Sequence, residues 1–209
     1  MPAVTKNRLE AFSDGVFAIA ITLLVIDLRA PAHVPPGRLA HDLWWNLWPN
    51  YLAYAISFLV IGVMWLNHHR MIDPVQWVDT PLLLLNLHLL LWTALLPFPT
   101  SVVAEHLRDG GSNAKVAMAL YGFVVLGAAV AFVCLFGWLT RDERILGSLP
   151  PKPEVRRARQ RFGLGVLVYS VALALSFVSP LLALLMHAAM ALYYAFDQSA
   201  VAARPGDEG

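Results

Sequence analysis

The sequence predicts an all-α membrane protein with six transmembrane helices per subunit, and three observations carry that reading. Hydrophobic residues make up 58% and charged residues 14% of the 209 positions, where an ordinary soluble domain has roughly a quarter of its residues charged. Mean hydropathy is correspondingly high, +0.61. Apolar runs recur at lengths close to the ~20 residues that cross a bilayer as a helix, broken by short stretches rich in Pro, Gly and charge. Lysine and arginine concentrate on alternate connections, the asymmetry that sets orientation in a membrane. Residues 1–209 therefore read as one membrane domain, with no stretch left for a separate soluble unit. A formal net charge of +1 offers no basis for nucleic-acid binding, and the single cysteine, Cys134, rules out an internal disulfide framework or a Cys-based metal motif.

The first span, about residues 7–28, begins with charged and polar residues and runs without a break into apolar sequence. Its uninterrupted apolar part, residues 15–26, is too short to cross alone, so its polar first turns must be enclosed by protein. A Pro- and His-containing connection ends in Trp44, Trp45 and Trp48, a cluster suited to the membrane interface because the indole ring is apolar and its N–H seeks a polar partner. The second span, 47–66, runs into Trp65-Leu66-Asn67-His68-His69-Arg70. The third, 81–104, is interrupted by Asn86 and His88 and carries the sequence Leu-Pro-Phe-Pro-Thr at residues 96–100, whose prolines remove backbone donors. Span four, 116–139, is uncharged; residues 140–161 form a basic cytoplasmic loop, and two shorter apolar segments, 162–179 and 181–196, follow with Ser179-Pro180 as the turn between them.

Six spans with both termini cytoplasmic place Lys6, Arg8, Arg70, Arg141, Arg144, Lys152, Arg156, Arg157, Arg159, Arg161 and Arg204 inside, against Arg29, Arg38, Arg108 and Lys115 outside. That imbalance is the one the positive-inside rule requires. The basic loop reads first as this orientation signal and second as a contact for anionic lipid.

On the first helix, Ile19, Leu23 and Ile26 fall on one stripe at 100° per residue, with Thr22 at its edge and Gly15 and Phe12 continuing it. Periodicity alone reads this as ordinary helix packing. Ser13 and Asp14 point away from the stripe, and six residues separate Asp14 from Arg8, too far around a straight helix for the two to pair. Arg8, Ser13, Asp14, one of His68 and His69, and Asn86 lie at matching depth and read as a buried hydrogen-bonded cluster that fixes the first helix. Two functional readings compete with that structural one. Asp14 with His68, His69 or His88 has the donor chemistry of a metal site, although adjacent histidines project about 100° apart. Intramembrane Asp and His are also the usual proton-relay residues, so a proton-coupled transporter using Asp14 and His68 or His69 is the alternative function. The sequence has no Gly-rich phosphate loop, no GxSxG elbow and no catalytic carboxylate pair, and it predicts no enzyme; nor does it carry a TVGYG potassium filter.

The run RLEAFSDGVFAIAITLLVIDL, residues 8–28, resembles the first helix of the transmembrane protein 175 family, potassium channels of prokaryotes and animal lysosomes whose signature is R-x-x-x-F-S-D. Arg8, Phe12, Ser13 and Asp14 supply that signature, and the Trp65 and His68-His69 ending, with the NLHLLLW and LPFPT sequences of the third span, extends the resemblance over residues 7–100. The resemblance implies a six-helix subunit in a homotetramer, with the first helix of each copy lining a central pore for potassium in the cell membrane. It implies Ile19, Leu23 and Ile26 as an apolar constriction and Thr22 as a hydroxyl ring. Arg8, Phe12, Ser13, Asp14, Trp65, His68, His69 and Asn86 are then the polar network holding the pore helix. No cofactor is implied beyond potassium as the permeant ion, and the partners are the other subunits and the bilayer.

Overall fold

The computed structural model describes residues 5–31 and 34–202. Arg204, counted above among the inner cations, and both chain termini lie outside the described residues.

Seven helices carry the architecture. Helix α1, Lys6–Leu23, tightens into a 3-10 turn at Leu24–Asp27. A short π-helical turn, Asp42–Asn46, holds Trp44 and Trp45 outward and leads into α2, Trp48–Ile72. Pro49 sits in the first turn of α2, where a missing N–H has no intrahelical partner to lose. Helix α3, Thr80–Leu95, is capped by Asp79, whose carboxylate accepts from the Leu82 N–H at 2.9 Å. The chain breaks at Leu96 and resumes as α4, Pro97–His106, because Pro97 and Pro99 cannot donate to the preceding turn. Gly110 and Gly111, at φ 66° and 65°, take the left-handed backbone that reverses the chain into α5, Gly111–Leu139. Helices α6, Lys152–Leu175, and α7, Pro180–Ala202, complete the bundle.

Several expected boundaries move: the helix of the fourth span begins at Gly111 and not at 116, that of the fifth ends at Leu175 and not at 179, and that of the sixth continues past 196 to Ala202. The second span continues past Leu66 through Asn67 to Arg70 and ends at Ile72. Residues 140–161, expected as a loop, are instead a short helix, Glu143–Leu146, followed by the first turns of α6. Arg, Ala, Gln, Glu and Lys are all good helix formers, and Pro153 falls in the first turn, where it is tolerated. Hydropathy alone does not separate a charged helix from a loop.

Helix α5 is central, packing against α3, α4, α6 and α7, whereas α1 lies at the edge against α2 and α3. Among the described residues, four helical stretches are long and apolar enough to cross a membrane by length and composition: Lys6–Ile26, Trp48–Ile72, Thr80–His106 and Gly111–Leu139. Helix α6 falls short of that description because its first turns are charged, and α7 because its apolar part, Pro180–Phe196, is short.

The ends of the bundle are chemically distinct. At one end, Lys6 of α1 bonds the Asp73 carbonyl, Gln76 N–H donates to the Ile145 carbonyl at 2.7 Å, and Trp138 Nε1 donates to Asp79 at 3.2 Å. These contacts gather the start of α1, the α2–α3 connection and the basic α5–α6 connection. At the opposite end, Arg108 donates to Asn46 Oδ1 at 2.8 Å, joining the α4–α5 connection to the turn before α2.

Candidate functional site

Helix α1 has two unlike faces. Leu9, Ser13, Phe17 and Ala20, with Leu24 in the turn beyond, recur at spacings of three and four and are all buried. The outward face carries Phe12, Ile19, Leu23 and Ile26, which are 56%, 61%, 41% and 63% exposed. Gly15 lies between them with open space where a side chain would be. In a 3-10 turn residues i and i+3 eclipse, so the turn at Leu24–Asp27 carries Ile26 over Leu23 on that same outward side. Thr22 is also exposed, and its hydroxyl donates back to the Ala18 carbonyl at 2.8 Å, leaving its lone pairs free to face outward.

The inward face is tied down by a directed chain of hydrogen bonds. His68 Nε2 lies 2.7 Å from Asn86 Oδ1, an acceptor, so the imidazole donates there. Asn86 Nδ2 then donates to Ser13 Oγ at 3.0 Å, and Ser13 Oγ donates to the Leu9 carbonyl at 2.8 Å. Ser13, His68 and Asn86 are all buried, and each polar group along this path meets a partner, so their burial carries little of the penalty an isolated group would incur. The Phe17 ring closes over His68, with centroids 5.4 Å apart. Helices α1, α2 and α3 are thus joined by three side chains.

Asp14 finds its partner elsewhere. Trp65 Nε1 donates to Asp14 Oδ1 at 2.9 Å, on the rim of a groove of about 350 Å³ that Phe17, Ala18, Ile21 and Gly62 also line. His69, beside His68 in sequence, projects to the surface and stacks on Trp65 with ring centroids 5.9 Å apart. The ambiguity between the histidines is resolved: His68 enters the buried chain and His69 stays outside it. Arg8 and Phe12 also stand apart from it, exposed, and Arg8 has no ion-pair partner among the described residues. The charge that does clamp this end is Lys6, 3.6 Å from both Glu10 and Asp73; the Lys6–Glu10 spacing of four was readable as a helix ion pair. His88 accepts from Trp92 Nε1 at 3.2 Å and does not meet Asp14. Among the described residues no three His, Cys, Asp or Glu side chains converge as a metal site.

A second polar cluster lies deeper. Ser57 bonds the Tyr121 hydroxyl at 3.2 Å and the Thr100 hydroxyl at 2.8 Å, linking α2, α4 and α5.

Comparison with known proteins places the whole chain. The family model for the endosomal/lysosomal potassium channel TMEM175 matches residues 8–97, the region holding α1 and both helices that anchor it. A potassium channel of Streptomyces collinus is 46% identical over 95% of this chain and 96% of its own length. A potassium channel of Chamaesiphon minutus is 39% identical over 93% of this chain and 95% of its own. The crystal structure of a lysosomal potassium-selective channel homologue from Chamaesiphon minutus superposes with a TM-score of 0.79 at 37% identity, covering 92% of this chain and 97% of that one.

Proposed function

The chain belongs to the TMEM175 family, a family of ion channels and not of enzymes, and from that premise we propose that it forms a potassium-permeable cation channel. In this reading four copies of one domain, residues 1–209, surround a pore lined by α1. Each copy crosses the cell membrane six times, by α1, α2, α3 with α4, α5, α6 and α7, with both termini on the cytoplasmic side.

The observation that carries the reading is the outward face of α1. A helix side bearing only aliphatic groups is at home in lipid, but this side also exposes the Thr22 hydroxyl, and a different side of α1, nearer its start, exposes the Asp14 carboxylate beside Trp65. Lipid-exposed charge at depth is costly, so α1 calls for cover by other copies or contact with water. A central pore supplies both. Rings of Ile19, Leu23 and Ile26 then form a constriction that excludes water and blocks ions by dewetting, and a small rotation or widening of the helices rewets it. Thr22, its proton spent on the Ala18 carbonyl, offers oxygen lone pairs to a partly dehydrated cation. Potassium holds its water less tightly than sodium, which favours its passage. Ser13, His68 and Asn86 anchor the pore helix from behind, and Asp14 with Trp65 braces its side.

The hydrogen-bond geometry weighs against a proton-coupled transporter. The buried chain passes through the Asn86 amide, which does not take up and release protons, and Asp14 bonds to an indole and not to His68.

Planar-bilayer recording of the reconstituted protein under opposed potassium and sodium gradients tests the proposal. Unitary currents whose reversal potential follows the potassium gradient are expected. Saturable, pH-coupled flux without unitary events would establish a transporter instead.

A further inference from the structure

We propose that the first turns of α6 bind an anionic phospholipid of the adjoining leaflet, with its headgroup phosphate held by Lys152, Arg156 and Arg159. The inference goes beyond the channel reading and requires only that α6 meet the bilayer, not that α1 conduct.

Three observations carry it. First, Lys152, Arg156 and Arg159 stand at i, i+4 and i+7, on one face of a helix. They line one cavity of about 600 Å³ whose other walls include Leu149, Pro150 and Val155. A basic stripe beside an apolar wall matches an amphiphile: phosphate on the cations, glycerol and upper chain on the carbon surface.

Second, these cations are uncompensated. Among the described residues none of Lys152, Arg156, Arg157 and Arg159 has an ion-pair partner. The carboxylates nearby do not serve. Glu143 lines the same cavity without pairing, and Glu154 lies two residues from both Lys152 and Arg156, about 200° around the helix. Like charges at these spacings repel, so the stripe lowers the stability of the isolated chain until an anion arrives.

Third, the length of α6 brings the stripe to the headgroups. Residues 162–175 rise roughly 21 Å at 1.5 Å per residue, against a hydrocarbon core of about 30 Å. The turn after Leu175 supplies part of the difference and the basic turns the rest, their long side chains reaching back to the phosphates. Orientation by positive charge depends on how many cations flank a span. Three cations aligned beside an apolar-walled cavity are a geometric feature that orientation does not require.

The test is native mass spectrometry of the protein in neutral detergent, titrated with phosphatidylglycerol or phosphatidylcholine. Wild type is expected to retain phosphatidylglycerol preferentially. The triple variant Lys152→Gln, Arg156→Gln, Arg159→Gln should bind it about a hundredfold more weakly, from about fivefold for each surface cation. The control Arg29→Gln, Arg38→Gln, Lys115→Gln, at the other end of the bundle, should bind it as wild type does. Equal retention of the two lipids, undiminished binding by the triple variant, or an equal loss in the control overturns the proposal. Displacement of phosphatidylglycerol by inorganic phosphate at matched concentration overturns it in favour of a soluble anion. If the triple variant does not survive purification, Arg156→Gln alone and wild type in high salt decide the question: both should weaken binding, and no change in either counts against the site.

Discussion

The two faces of α1 share one backbone and differ in almost everything else. The inward face is small or closely fitted, and its single buried hydroxyl, Ser13, is locked to two neighbouring helices through Asn86 and His68. The outward face is bulkier, aliphatic and bare, and its one hydroxyl, Thr22, bonds only to its own helix. Position is fixed from one side, so the other is free to serve as the proposed ion path. Damage to the first should therefore appear as lost stability and assembly, and damage to the second as altered current in an intact protein.

Asn86→Leu should have the largest effect. It removes the link between α3 and α1 and strands His68 Nε2 in a buried site, at about 1–3 kcal/mol for the unsatisfied group, while Ser13 keeps only its bond to the Leu9 carbonyl. A lowered midpoint in thermal unfolding and loss of the oligomer peak in gel filtration are the expected readouts; a wild-type profile would show that the buried chain does not hold α1. Ile19→Asn should come next and act on the other side, wetting the constriction and raising unitary conductance several-fold while leaving the unfolding midpoint near wild type. Unchanged current would remove Ile19 from the pore. Asp14→Ala deletes the acceptor for Trp65 Nε1 at a partly exposed position, a loss of about 1 kcal/mol, seen as reduced oligomer yield before any change in selectivity. The smallest effect belongs to Thr22→Val, close in shape but without the hydroxyl. Stability should stay within about 0.5 kcal/mol of wild type, while the potassium-to-sodium permeability ratio from reversal potentials falls. A ratio that does not move assigns discrimination to the aliphatic rings alone.

Much of this division was readable before any coordinates. Angle alone separates Ser13 from the Ile19 and Ile26 stripe, and a spacing of six from Arg8 to Asp14 already bars that pair. Other features were not readable for physical reasons. His68 and His69 project about 100° apart, and only the placement of Asn86 on α3 decides which one is enclosed. Ser57 meets Tyr121 and Thr100 from 64 and 43 residues away, contacts that no local periodicity announces. The basic turns of α6 read as a loop in the sequence because hydropathy scores charge and ignores helix propensity, which Arg, Ala and Gln have in abundance.

The hydrogen-bond chain behind α1 also has a sense of travel. Every donor in it points toward α1 or along it: imidazole to amide, amide to hydroxyl, hydroxyl to the Leu9 carbonyl. Such a series is ordered like a queue, and its members are not interchangeable even where their shapes match. Aspartate at position 86 would copy the outline of asparagine yet offer Ser13 no proton in its ionised form, so the hydroxyl would have to turn from the Leu9 carbonyl to face the carboxylate. The anchor therefore selects for amide chemistry at its middle link, independently of how well the surrounding side chains pack.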